Sequence, residues 1–309
     1  MTGRWPTRWA RPRGGTTAWR AASGTPPATT WCRGASPTTC GRARRSPSTC
    51  ASRWEATTRA CSTTPGCRPT RRPSSPSTSW ALVTNPLDAL AQEVAACTTC
   101  PRLVAWRTAV GEDPPARYRG QEYWSRGVPG FGDPDPWLFI VGLAPAAHGA
   151  NRTGRMFTGD RSADFLVAAL HRAGLANQPE STSRSDGLRL TGCRMSAVVR
   201  CAPPDNKPTT TERDACIPFL ARELDLCPRS RVVLCLGGFA WDGVLRVLAA
   251  AGHDIPRPKP KFAHGAEAAI GPITVLGTYH PSQQNTFTGR LTPDMLDAVL
   301  QRARGIAAP

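Results

Sequence analysis

Four cysteines stand where metal ligands could: Cys97 and Cys100 in Cys97-Thr98-Thr99-Cys100-Pro101, Cys201 in Val199-Arg200-Cys201-Ala202-Pro203-Pro204, and Cys216 on the segment that follows. Four thiolates suit tetrahedral zinc or a cubane iron-sulfur cluster, and spacing does not choose between them. A single CxxC is equally a redox pair, and Cys201 and Cys216 taken alone read as small buried apolar residues. The apolar reading is adopted for Cys193, Cys227 and Cys235, which lie within or beside apolar stretches.

Two further segments carry polar groups at places where a core would not want them. Gly142-Leu143-Ala144-Pro145-Ala146-Ala147-His148-Gly149 leaves an apolar run directly into a Gly-rich loop, whose amides suit phosphate, pyrophosphate or a polar base. It continues as Asn151-Arg152-Thr153-Gly154-Arg155-Met156-Phe157-Thr158-Gly159-Asp160. Taken alone, Asp160 reads as a helix cap and Phe157 as a core side chain. Tyr279-His280-Pro281-Ser282-Gln283-Gln284-Asn285 is different, because a loop histidine followed by such residues offers little to a core and reads as functional.

The elements that position these segments alternate. Trp137 to Gly142 is a continuous apolar run, as in a buried parallel strand, and Arg189–Val199, Arg231–Leu236 and Ile273–Thr278 are strand-like. Pro86–Ala96, Ser162–Ala173, Thr210–Leu226, Phe239–Ala251 and Thr292–Ile306 have helical spacing. Gly111 to Asp135 reads as a long surface loop. The pattern predicts an α/β fold, a three-layer α/β/α sandwich around a central, mainly parallel four-stranded sheet. Ligands bind such sheets outside the carboxyl ends of the strands, which puts His280 and Gly142 on one edge.

Composition divides the chain of 309 residues. Residues 1–80 lack Leu, Ile, Val, Phe, Tyr, Lys, Asp, Asn, Gln and His, and hold 14 Arg against one Glu. Such a segment cannot bury enough apolar surface to offset its chain entropy. Residues 1–82 are therefore expected to be a disordered or mis-translated extension, with a natural start near Val83 and one domain over 83–309. The alternative is a basic nucleic-acid arm using Arg42, Arg44, Arg45, Arg71 and Arg72. Of the net charge of +17, only +4 belongs to residues 81–309. No stretch approaches the roughly 18 apolar residues of a membrane span, and unpaired cysteine usage points to the cytoplasm.

Together the motifs resemble the uracil-DNA glycosylase superfamily, and within it the family 5 (class b) enzymes that carry an iron-sulfur cluster. The likeness spans about residues 86 to 306. It rests on Gly142 to Gly149, on Cys201-Ala202-Pro203-Pro204-Asp205-Asn206-Lys207-Pro208, on His280-Pro281-Ser282 and on the four cysteines. It implies hydrolysis of the N-glycosidic bond of uracil, and of other deaminated or damaged bases, in DNA by a monomer. It implies the acidic role for Asp160, an assisting role for Asn206, and His280 as the motif histidine. It also implies a 4Fe-4S cluster on Cys97, Cys100, Cys201 and Cys216, structural more than redox-active. Ala144 and Ser196-Ala197 replace polar residues found in better-known superfamily members, which leaves the pocket short of discriminating groups.

A base in duplex DNA must be flipped out before its glycosidic bond can be reached. Phe157 is expected to stack on the extruded ring. His280 and the amides near Gly142 and Ala144 would hydrogen-bond the oxyanion that develops on the departing base, while Asp160 orients or deprotonates water. Ser282 and Arg290 belong to the substrate side, and Gln283–Arg290 would fill the gap left in the duplex. Arg152, Arg155 and Arg290 are candidate phosphate contacts. Two rivals are a non-catalytic DNA-binding module with a structural four-cysteine metal site, and a small electron-transfer protein.

Overall fold

The computed structural model describes residues 85–308, so the extension assigned to residues 1–82 lies outside the described residues. The helices are α1 (Pro86–Ala96), α2 (Pro101–Glu112), α3 (Ala150–Thr153), α4 (Arg161–Arg172), α5 (Thr210–Asp225), α6 (Gly238–Ala250), α7 (Gln283–Thr286) and α8 (Pro293–Ala307). The strands are β1 (Phe131–Gly132), β2 (Leu138–Gly142), β3 (Cys193–Ala197), β4 (Val232–Leu236), β5 (Glu267–Ile270) and β6 (Ile273–Thr278). They form one sheet in the order β1-β3-β2-β4-β6-β5.

The four central strands run parallel, as the apolar runs predict, and the two outer strands are antiparallel additions. Strand alternation sends Leu138 and Ile140 to one face and Phe139 and Val141 to the other. On the first face they meet Leu166 and Leu170 of α4 and Leu296 and Leu300 of α8. On the second they meet Leu103 of α2, Leu220 of α5 and Trp241 and Val244 of α6. The three layers follow from that double burial. Among the described residues no helix is long and apolar enough to cross a membrane.

Three elements escape the periodicity argument. The buried stripe of α2 is Leu103, Arg107 and Val110, and a charged residue in its middle hides the helical period. β1 is only two residues long. β5 buries Ala268 and Ile270 while exposing Glu267 and Ala269, and alanine is a poor strand signal.

The parallel register sets the site edge. Gly142 of β2 lies opposite Ala197 of β3, and Leu236 of β4 opposite Thr278 of β6, so all four strands end together. The loops after β2 and β6 therefore emerge on the same edge.

Candidate active site

The loop after β2 is folded on itself by Arg152, whose Nε donates to the His148 carbonyl, Nη2 to the Gly159 carbonyl and Nη1 to Gln121 Oε1. Arg155 is buried at 4% exposure and donates two hydrogen bonds to Asp186, one to Thr158 Oγ1 and one to Ser181 Oγ. The expectation of a phosphate contact at Arg155 is thus corrected, because its buried guanidinium is used inside the protein, whereas Arg152 ties the loop while remaining half-buried. Against the pull of burial, Arg155 and three backbone amides hold the Asp186 carboxyl far below the usual range. That stabilisation is present at neutral pH and is lost as pH falls through the folded value. Arg155→Met, which strands the carboxylate, should cost about 3 kcal/mol or more, read as a lower denaturation midpoint.

Asp160 ends this loop and caps α4, its Oδ1 accepting from the Ala163 amide at 3.0 Å. The cap reading is therefore correct, but it accounts for one oxygen only. The second oxygen faces Gly149, where an added Cβ would stand 1.9 Å from Oδ2. Burial raises the carboxyl above its ordinary value despite the backbone amides that bond it. A cleft of about 520 Å³ gathers Asp160 with His148, Arg152, Asn206 and Gln283, a size usual for ligand sites. Gly142, Ala144, Phe157, His280, Ser282 and Arg290 do not line it.

Those residues sit around the same strand ends. Phe157 lays its ring against Gly142, where a Cβ would come within 2.7 Å of Cζ, and it holds φ at +48°. Asp205 and Asn206 take the same left-handed region at +53° and +55°. Such backbone costs about 1–3 kcal/mol per residue and persists only where neighbours enforce it, which is typical of functional loops. Ala144 packs beside the second core face, and Ala197 is 1% exposed. His280 is half-buried two residues past β6, and burial pushes its imidazole down to about 4, so it is neutral at pH 7. Asn285 Nδ2 donates to the His280 carbonyl at 2.8 Å, fixing the loop. Ser282 begins α7, its carbonyl accepting from the Asn285 and Thr286 amides. Arg290 is exposed, with its guanidinium 4.5 Å from the Tyr279 ring centroid.

His148 and Tyr118 line the cleft and received no role from sequence reasoning, and Gln283, from the segment expected to fill the gap in the duplex, lines it with them. His148 accepts or donates a 3.1 Å bond with Tyr123 Oη and stacks on Tyr118 at 5.8 Å. Burial, then Arg117 and Arg152, lower its pKa. Its position in the loop after a buried strand was the available signal, and its neighbours come from a distant segment.

The four predicted cysteine ligands face one small void, lined also by Leu103, Val199 and Phe219. Arg107 Nη1 donates to Cys201 Sγ at 2.8 Å, and the Arg200 amide to Cys216 Sγ at 3.3 Å. Burial pushes the Cys216 thiol up to about 12. Among the described residues no group of three His, Cys, Asp or Glu is arranged to hold a metal ion. Cys193, Cys227 and Cys235 are buried free thiols away from this void.

The profile of the uracil DNA glycosylase superfamily matches residues 129–304. A type-5 uracil-DNA glycosylase of Mycobacterium tuberculosis is 53% identical over 216 residues, covering 69% of this chain and 79% of the relative. One from Thermus thermophilus is 48% identical over 221 residues, covering 71% and 98%. A type-4 uracil-DNA glycosylase of Pyrobaculum aerophilum is 28% identical over 162 residues, covering 52% and 74%.

Proposed function

The chain belongs to the uracil-DNA glycosylase superfamily, and from that premise we propose that it excises uracil from DNA by hydrolysing the N-glycosidic bond, leaving an abasic site. The observation that carries this reading to particular residues is the cleft at the carboxyl edge of the parallel sheet, which Asp160 and Asn206 both line. DNA is the partner, and the enzyme acts on it as a cytoplasmic monomer.

In this mechanism the extruded base stacks on Phe157, whose ring already stands at Gly142. As the glycosidic bond stretches, the sugar gains positive charge and the base gains negative charge. Ionised Asp160 stabilises the cationic sugar and orients the attacking water, with Asn206 placing the substrate beside it. Neutral His280 and the loop amides at Gly142 and Ala144 donate hydrogen bonds to the departing base, and donors set in advance need no reorganisation. Ser282 holds the loop that carries His280, and Arg290, with Arg117 and Arg161 at the cleft, faces the phosphates. Neither Ala144 nor Ala197 offers a polar group, which supports acceptance of other deaminated bases; strict uracil specificity in a panel of damaged bases would contradict it.

Phe287 follows α7 and is 76% exposed, an apolar side chain on the loop that carries Gln283 to the cleft. It is the side chain suited to fill the gap in the duplex. Phe287→Ala should lose about 1–3 kcal/mol of stacking, roughly tenfold in excision from duplex, with a smaller loss on single-stranded substrate. Equal losses on both would remove it from the wedge role.

The four cysteines suit a 4Fe-4S cluster, with one void lined by all four thiols. Donors from Arg107 and the Arg200 amide point at two of the sulfurs, as they would toward ligating thiolates. Such a cluster would tie the Cys97–Cys100 segment to the Cys201–Cys216 segment. Its contribution is structural, and base removal proceeds through the residues named above.

A labelled duplex with one uracil, treated with the purified chain and then alkali, should be cut at that position. Binding without an abasic product would overturn the reading.

A further inference from the structure

Arg107 lies two helical turns beyond Cys100 on α2, and long helical side chains lean back toward the N-terminus. It is 4% exposed. It reaches both halves of the cysteine set, with Nη1 on Cys201 Sγ at 2.8 Å and Nη2 on the Cys97 carbonyl at 2.9 Å. Its Nε is buried without a partner among the described residues. A buried guanidinium is costly unless opposite charge offsets its desolvation, and its bonds here go to sulfur and carbonyl oxygen. Thiolates that ligate a metal cluster would supply that charge.

The backbone of the same residue faces the catalytic side. The Arg107 carbonyl accepts from Asn151 Nδ2 at 3.1 Å, and Asn151 is fully buried in α3. The loop around α3 is cross-tied: the Trp124 and Ser125 amides donate to the Arg152 and Asn151 carbonyls, and Arg152 binds the His148 and Gly159 carbonyls. One residue and two hydrogen bonds therefore separate Cys201 Sγ from the loop that presents His148 and Asp160.

We propose that Arg107 is a positioning residue that couples loading of the four-cysteine centre to the order of residues 148–160. This rests on the cluster reading of the centre. With Cys100 as the N-cap of α2, a loaded centre holds the start of the helix, Arg107 clamps the two ligand segments together, and its carbonyl anchors α3. An empty centre frees the guanidinium and slackens the active-site loop.

The test is hydrogen exchange, read by mass spectrometry on the full chain before and after the metal is stripped with ferricyanide and EDTA, with iron and sulfide measured in parallel. Stripping should speed exchange in peptides from 148–160 about tenfold or more, while α8 peptides stay protected. Arg107→Met, with its iron retained, should exchange in 148–160 at the stripped wild-type rate. Arg107→Lys, which keeps the charge and loses the fork, should do so in part and serves if the Met variant does not fold. Unchanged protection of 148–160 after iron loss overturns the coupling, as does an equal rise in α8, which would mean the metal holds the whole fold. Protein that carries and takes up neither iron nor sulfide overturns the cluster reading itself, and the coupling with it.

Discussion

Asp160→Asn is expected to lower the single-turnover excision rate about 10²–10⁴-fold while affinity for uracil-containing duplex is retained. The substitution is a clean one. Asparagine caps a helix as well as aspartate does, so the bond to the Ala163 amide and the start of α4 survive. What disappears is the negative charge in a half-buried position beside Gly149, facing the cleft. That charge has value only when the sugar becomes cationic, so its loss falls on the chemical step and not on binding. The pH dependence follows with a definite sign. Burial raises the carboxyl, and in the proposed mechanism the ionised form acts, so the wild-type rate should fall with acidification at a higher pH than an ordinary carboxylate would give. The variant should lose that acidic limb. Rate and affinity profiles of both proteins check this; parallel loss of rate and binding would defeat the assignment.

His280→Ala should cost about 10²–10³-fold in rate, the range for removing one donor to a developing oxyanion. The imidazole is pushed down to about 4 by burial, so at neutral pH it donates as a neutral group and does not deliver a full positive charge. Two consequences can be measured. The wild-type rate should show no transition near 6.5 that vanishes in the variant. The loop should stay folded, because Asn285 binds the His280 carbonyl and not its ring. A His280 transition near neutrality would mean that the imidazolium is the working species.

These residues were legible to different degrees. The strand-then-glycine pattern at Gly142 and the histidine after the last strand mark the site edge, since parallel strands must end together there. Asp160 was harder, because a cap and a catalytic carboxylate look identical in sequence. Only the fold brings Gly149 against its second oxygen. Arg155 illustrates the opposite error: arginine in a site loop reads as a phosphate contact, yet Asp186, Thr158 and Ser181 take up its guanidinium. Asp186 lies 31 residues away from it, beyond any local pattern.

The amino-acid sequence by itself determined the parallel core, the site edge, the four cysteines and the family, because these depend on local periodicity and on motifs that are contiguous in the chain. The tertiary structure decided which groups share the cleft, which arginines are spent inside, and that Arg107 stands between the cysteine centre and the active-site loop. Those facts depend on burial and on hydrogen bonds between distant segments, such as Arg107 to Cys201 across 94 residues. Desolvation and donor pairing are set by what surrounds a side chain, and a linear pattern carries no record of that.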